Sequence, residues 1–227
     1  MSELTFSIVL PIYKQEKQIF GLYETYVNAL NKLEDNWELI FVVNGPSDKS
    51  LEMLQGLIGS NSNVKAFRIE GKGWGKAVKY GISKSQGKFV CYTNSARTKI
   101  EDLMLLLKYA KVNDKAVVKA TRIVRESFLR RFGSVLYNFE NRFLFKTPIW
   151  DVNGTPKILP KEVLNTFQIV SDGDLIDAEI MAKCFKKGIP IIEIPVVFTT
   201  RISGKSTTGL KSAYKMYTGL LKLRREI

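Results

Sequence analysis

Histidine is absent from this 227-residue chain, and cysteine occurs twice. Without histidine, the commonest general base and the commonest zinc ligand are missing. Any proton transfer falls to Asp, Glu, Lys or Tyr. Cys91 sits in an apolar run and Cys184 in a helical pattern. Both read as small buried hydrophobes, with no disulfide framework, which fits a reducing, cytoplasmic compartment. No apolar run approaches ~18 residues, so no segment is expected to span a bilayer. The chain opens on a strand pattern without a signal peptide. Acid is also scarce: 22 Asp and Glu stand against 35 Lys and Arg, a formal charge of +13. That balance points to anionic partners such as phosphates, nucleic acid or an acidic membrane surface. No recognition-helix or RNP-type pattern accompanies it, so nucleic acid is not expected.

The chain is 45% hydrophobic and 25% charged, enough to bury a core within one domain. Strand-like runs at Thr5–Leu10, Trp37–Val43, Val64–Ile69, Lys88–Tyr92 and Ala116–Thr121 alternate with helical spacing at Ile19–Leu33, Leu51–Ile58, Lys76–Ser85 and Ile100–Val112. This rhythm predicts an α/β fold, a mostly parallel Rossmann-like sheet flanked by helices. Ligands of such sheets bind beyond the carboxyl ends of the strands. The loops at Pro11–Glu16, Asn44–Ser50, Glu70–Gly75 and Thr93–Lys99 are therefore the expected site. Further on, Glu126–Phe145 and Asp174–Lys187 read as helices and Ile191–Phe198 as a strand. The tail from Leu210 reads as a basic amphipathic helix with Leu210, Tyr214, Tyr217 and Leu221 on one face.

Gly71-Lys72-Gly73-Trp74-Gly75-Lys76 is not a Walker A loop, because Glu70 and Ala77 stand where Gly and Ser/Thr are needed. It is not a dinucleotide fingerprint either, since its third glycine comes one residue early. The cluster reads as a strand-to-helix turn whose amides could also approach a phosphate. Gly204-Lys205-Ser206 fails as a P-loop because Thr199 occupies the first glycine position.

Five segments in order carry a resemblance. They are Val9-Leu10-Pro11-Ile12-Tyr13 with Glu16, Val43 to Ser50, Gly71 to Gly81, Asp151-Val152-Asn153-Gly154, and Glu193-Ile194-Pro195-Val196 with Arg201, Gly204, Lys205 and Ser206. Together they resemble the family-2 glycosyltransferases with the GT-A fold, most closely their dolichol- or polyprenyl-phosphate sugar synthase branch. The resemblance spans about residues 5 to 210. It implies one glycosyltransferase domain over 1–227: a nucleotide-sugar-binding half over about 1–100, an acceptor-side half over about 101–210, and the tail helix. It implies transfer from a nucleotide-diphosphate sugar, with inversion, to a lipid-linked phosphate. Pro11, Tyr13, Asn44, Asp48, Lys72 and Asn94 would form the donor side. Val43 stands where the family has Asp, so the base contact departs from the pattern.

The larger departure follows Thr93. The family places Asp-x-Asp there, two carboxylates that grip Mg²⁺ or Mn²⁺ against the donor diphosphate. This chain has Asn94-Ser95-Ala96 and then Arg97. Three readings stand: cations such as Arg97 or Lys99 replace the metal; a metal is weakly held through the diphosphate and Asn94 or another carboxylate; or the chain binds nucleotide sugar without transferring it. On the acceptor side a hydroxyl would need a general base, with Asp151, Asp177 and Glu179 as candidates. A phosphate monoester, with a second pKa of about 6, needs cations instead. Arg122, Arg125, Arg201, Lys205 and Ser206 are the expected phosphate-holding residues, with Asp151, Arg97 and Arg201 nearest the chemistry. Residues 119–146 hold seven Lys and Arg against two Glu, and 201–227 seven against one. These stretches are either solvated surfaces or faces for an anionic membrane.

Overall fold

The computed structural model describes residues 4–45, 49–123, 128–197 and 210–227. Strands β1 (Phe6–Ile12), β2 (Trp37–Asn44), β3 (Val64–Ile69) and β4 (Phe89–Tyr92) run parallel, and β5 (Val117–Arg122) pairs in parallel with β7 (Ile191–Val196). Between them β6 (Lys157–Pro160) is antiparallel to both β4 and β5, giving the order β3-β2-β1-β4-β6-β5-β7. The mostly parallel expectation holds, with one reversed strand that the sequence did not signal.

Both β1 and β2 are buried at every position, which explains their continuous apolar runs. Alternation then builds two cores. Phe6, Ile8, Leu10 and Ile12 face α1 (Ile19–Leu30), α2 (Ser50–Ile58) and α4 (Ile100–Val112), while Val9, Ile40 and Val42 face α3 (Trp74–Lys84) and α7 (Ile176–Lys186). The strands pair β1 with β2 on one side and with β4 on the other, so the chain reverses its direction of sheet growth at β1. The carboxyl ends of β1 and β4 are the topological switch point, where a crevice opens in such sheets. Pro11 lies in that end of β1. Its carbonyl faces the β4 side, two residues past the last β1–β4 register pair at Val9 and Tyr92, so its missing N–H breaks no ladder.

After β5 the chain enters α5 (Phe128–Phe145), and a short helix, α6 (Lys161–Asn165), follows β6. The tail forms α8 (Leu210–Glu226) as expected. Its buried face differs from the expected one. Leu220 and Leu223 are buried, with Met216 and Tyr217 packed beside them, whereas Leu221 is half exposed. Tyr217 donates a 2.6 Å hydrogen bond to the Gly133 carbonyl and meets the Tyr137 ring edge-on at 5.8 Å. Both faces have helical spacing; docking on α5 and α7 selects the one with Leu220 and Leu223. The Leu210 and Tyr214 side chains lie outside the described set. Leu223→Ala is expected to lower stability by about 2–5 kcal/mol, and Leu221→Ala by less than about 0.5 kcal/mol. Urea denaturation of the two variants checks this, and equal costs would refute the docked face.

Candidate functional site

The β1 end carries Tyr13, partly exposed at the crevice rim. The ammonium groups of Lys14 and Lys72 lie 5.6 Å and 5.9 Å from its ring centroid, the second arriving from the glycine-rich loop. At the β2 end, Asn44 makes a reciprocal pair with that same loop. Its amide donates to the Gly73 carbonyl and its oxygen accepts from the Gly73 N–H, both at 3.1 Å. Asn44, expected on the donor side, thus also clamps this loop and sets its position. Asp48 lies outside the described residues.

The glycines of this loop have a different use from cradling a phosphate. A Cβ on Gly73 would lie 2.5 Å from the Asp172 carbonyl oxygen, and one on Gly75 would lie 2.7–2.8 Å from backbone atoms of residues 171–173. The Lys76 N–H at the start of α3 donates to the Asp172 carbonyl at 3.0 Å. Their absent side chains let the 171–173 segment close over the helix N-terminus. Glu179 holds that segment in turn, accepting from the Val170 and Ser171 N–H groups at 2.8 and 2.7 Å and from Lys183. Burial opposes its charge, but these donors hold its carboxyl below the ordinary value.

At the β4 end the Asn94-Ser95-Ala96 triplet is a compact turn. The Asn94 side-chain oxygen accepts from the Ala96 N–H at 3.0 Å, and its backbone carbonyl accepts from the Arg97 and Thr98 N–H groups, both at 3.0 Å. Ser95 is buried and bonds Gln15 at 2.8 Å and the Pro11 carbonyl at 3.3 Å, tying the β4 loop to the β1 loop across the switch point. A divalent cation needs several oxygen ligands, carboxylates foremost. Here the Asn94 oxygen is turned onto its own backbone, the Ser95 hydroxyl is spent on Gln15 and Pro11, and Ala96 offers none. Among the described residues no group of three His, Cys, Asp or Glu could hold a metal. These residues do not fit the metal that Asp-x-Asp would grip.

The edge formed by β5, β6 and β7 is a set of matched buried charges. Arg122, at the end of β5, makes a two-point pair with Asp151, Nε to Oδ2 and NH2 to Oδ1, both at 2.7 Å. Burial opposes the guanidinium charge, but Asp151 raises its pKa above the ordinary value. Gly154 allows the turn, since a Cβ there would fall 2.0 Å from the Ala120 carbonyl oxygen. Lys119 pairs with Glu193 at 2.9 Å, and Thr121 adds a 2.6 Å bond to the same oxygen. Lys157, directly opposite Lys119 across β5 and β6, pairs with Asp177. Asp177 also accepts from the Tyr92 hydroxyl at 2.9 Å and the Trp74 indole at 3.3 Å. Burial pushes the Lys157 ammonium down to about 8 against the pull of Asp177, and burial beside Asp177 pushes the Tyr92 phenol well up. Asp151, expected near the chemistry, is therefore the partner of Arg122, and Arg122 is committed to Asp151. Arg125, Arg201, Lys205 and Ser206 lie outside the described residues. Lys119, Lys157, Tyr92, Trp74 and Gln15 were not anticipated; the available signal was a lysine within each of two short, largely apolar strands.

The chain matches the family model described as glycosyl transferase family 2 over residues 7–167. It is 23% identical over 245 residues to the dolichyl-phosphate beta-glucosyltransferase of Dictyostelium discoideum, covering 96% of this chain and 73% of that protein. It is 26% identical over 135 residues to the undecaprenyl-phosphate 4-deoxy-4-formamido-L-arabinose transferase of Proteus mirabilis (strain HI4320), covering 58% of this chain and 41% of that longer protein. Its fold is similar to glucosyl-3-phosphoglycerate synthase from Mycobacterium tuberculosis, solved with Mn²⁺, UDP and phosphoglyceric acid. The TM-score is 0.73 at 16% identity, covering 97% of this chain and 77% of that one.

Breaking one partner of the Lys157–Asp177 pair leaves a buried charge uncompensated. Lys157→Met and Asp177→Asn are each expected to cost about 3–5 kcal/mol, and the double variant less than the two together. Denaturant titrations of the three proteins test the coupling; strictly additive losses would refute it.

Proposed function

The chain belongs to glycosyl transferase family 2, and we propose that it moves a sugar from a nucleotide-diphosphate sugar to the phosphate of a polyprenyl or dolichyl phosphate, with inversion. One observation carries the choice of acceptor. Each carboxylate considered as a base for a hydroxyl acceptor is already engaged: Asp151 by Arg122, Asp177 by Lys157, Tyr92 and Trp74, and Glu179 by Lys183 and two backbone amides. With no histidine in the chain, a nucleophile that is already ionised suits this site. A phosphate monoester is such a nucleophile at neutral pH, its second pKa being about 6. The relatives named for dolichyl and undecaprenyl phosphate favour the same class of acceptor.

In this reading Pro11 and Tyr13 receive the nucleoside, with Asn44 positioning the Gly73 loop beneath it. An acceptor phosphate oxygen attacks the anomeric carbon from the face opposite the leaving group. The new C–O bond forms as the bond to the diphosphate oxygen breaks, and that electron pair leaves with the nucleoside diphosphate. Lys14 and Lys72 lie by the Tyr13 ring, Arg97 follows the β4 turn, and this developing negative charge is assigned to these cations. Arg125, Arg201, Lys205 and Ser206 are assigned to the acceptor phosphate by resemblance.

The proposal extends to where the acceptor is met. No helix among the described residues is long and apolar enough to cross a membrane. Helix α5, which follows β5 on the acceptor side, presents Phe132, Val135, Leu136, Phe139 and Phe143 on one face. Phe139 is 68% and Phe143 76% exposed. Arg142 stacks on the exposed Trp150 ring at 4.3 Å beside that ridge. An apolar ridge flanked by cations suits an anionic bilayer surface, here the cytoplasmic face, bound peripherally.

Purified protein supplied with labelled nucleotide sugars and a short polyprenyl phosphate should yield labelled lipid. Transfer only to free sugars or glycans would overturn the acceptor, and nucleotide binding with no transfer to anything would overturn catalysis. Replacing Phe139 and Phe143 by Ser should weaken sedimentation with phosphatidylserine vesicles about tenfold or more. Unchanged vesicle binding would remove α5 from the membrane contact.

A further inference from the structure

We infer that this protein meets its donor's diphosphate with side-chain cations, Arg97 foremost with Lys14 and Lys72, and holds no divalent metal through its described residues. The inference rests on the nucleotide-sugar reading and concerns how that same site works.

Four observations converge. At the position of the expected metal ligands, the one side-chain oxygen of Asn94 accepts from the Ala96 N–H, which closes the turn and points the oxygen back at the chain. Ser95 next to it is buried, and its hydroxyl locks the β4 loop to Gln15 and Pro11. Freeing either oxygen for a cation would undo the turn or the bridge that shapes the crevice. The nearby carboxylates are no reserve. Asp151, Asp177 and Glu193 are paired with Arg122, Lys157 and Lys119, and a metal recruiting any of them would strand a buried cation.

The fourth observation concerns what replaces the metal. The turn that turns Asn94 away ends on Arg97, whose N–H donates to the Asn94 carbonyl and fixes its backbone at the β4 end of the switch point. Across it, Lys14 and Lys72 flank Tyr13 at the β1 end. A diphosphate lying over the ends of β1 and β4 would meet a guanidinium from one side and ammonium groups from the other. A guanidinium engages two phosphate oxygens at once and stays charged at any physiological pH.

Calorimetric titration of the full chain with UDP and with GDP, each in Mn²⁺ and in chelator, tests this directly. The bound nucleotide should show dissociation constants in the two buffers that agree within about threefold. Arg97→Ala should weaken nucleoside diphosphate binding about tenfold or more, weaken the matching nucleoside monophosphate much less, and recover in part as Arg97→Lys. Circular dichroism of each variant confirms that it is folded. Binding that requires Mn²⁺ would overturn the inference and leave the nucleotide-sugar reading standing. Equal loss for diphosphate and monophosphate, or no loss in Arg97→Ala, would remove Arg97 from the role. If neither nucleotide bound in either buffer, the donor reading itself would fall.

Discussion

The Asp177 carboxylate sits where α7 passes the carboxyl edge of the sheet, and the functional crevice is organised around it. It takes the ammonium of Lys157 from β6, the hydroxyl of Tyr92 from β4 and the indole N–H of Trp74 from α3. A carboxylate this deeply buried is tolerable only with a cation and with its remaining lone pairs filled. The reversed direction of β6 supplies the cation. An antiparallel strand brings its first residue, Lys157, to the edge where the parallel strands end, level with Tyr92. Tyr92 immediately precedes the Thr93–Thr98 turn, so its hydroxyl bond to Asp177 also fixes where that turn begins.

A second constraint links the glycine-rich loop to the segment before α7. Gly73 and Gly75 have no room for a side chain because the 171–173 backbone lies against them, and Glu179 holds that backbone from α7. Asn44 holds the loop from the other side. The loop that carries Lys72 toward Tyr13 is thereby gripped by residues from β2 and from the segment before α7. One continuous sheet carries both the β1–β4 switch point and the β5–β6 charge pairs.

Much of this was legible in the sequence because it rests on period and punctuation. The β1 to β5 runs and their helices followed from apolar spacing, with Val64–Ile69 and Ile100–Val112 matching the structure at both ends. The carboxyl-end loops followed from parallel-sheet topology. What was not legible depends on partners distant in the chain. The four-residue β6 has no periodicity to read, and its reversal is set by pairing with β4 and β5. The faces of α8 were equally spaced, and only docking distinguished Leu220 and Leu223 from Leu221. Asn44 was read as a donor contact, and the glycines as a strand-to-helix turn whose amides could also approach a phosphate. Contacts across 29 residues for Asn44 and about 97 for Gly75 gave them internal roles. Asp151 was readable as an important carboxylate, yet its commitment to Arg122 required the turn at Gly154 to bring them together.

The matched charges inside the protein also bear on its exterior. The buried charged side chains among the described residues are Glu38, Lys119, Asp151, Lys157, Asp177 and Glu179, acids outnumbering bases. Among the described residues, the excess of positive charge therefore comes from groups nearer solvent. At physiological ionic strength such a field decays over about 8 Å. A single small anion passing at longer range would scarcely sense it, whereas a dense two-dimensional array of phosphates would meet many of these cations at once. The interior thus leaves the surface free to respond to salt as a unit, so that screening of the outer field leaves the shape of the crevice beneath unchanged.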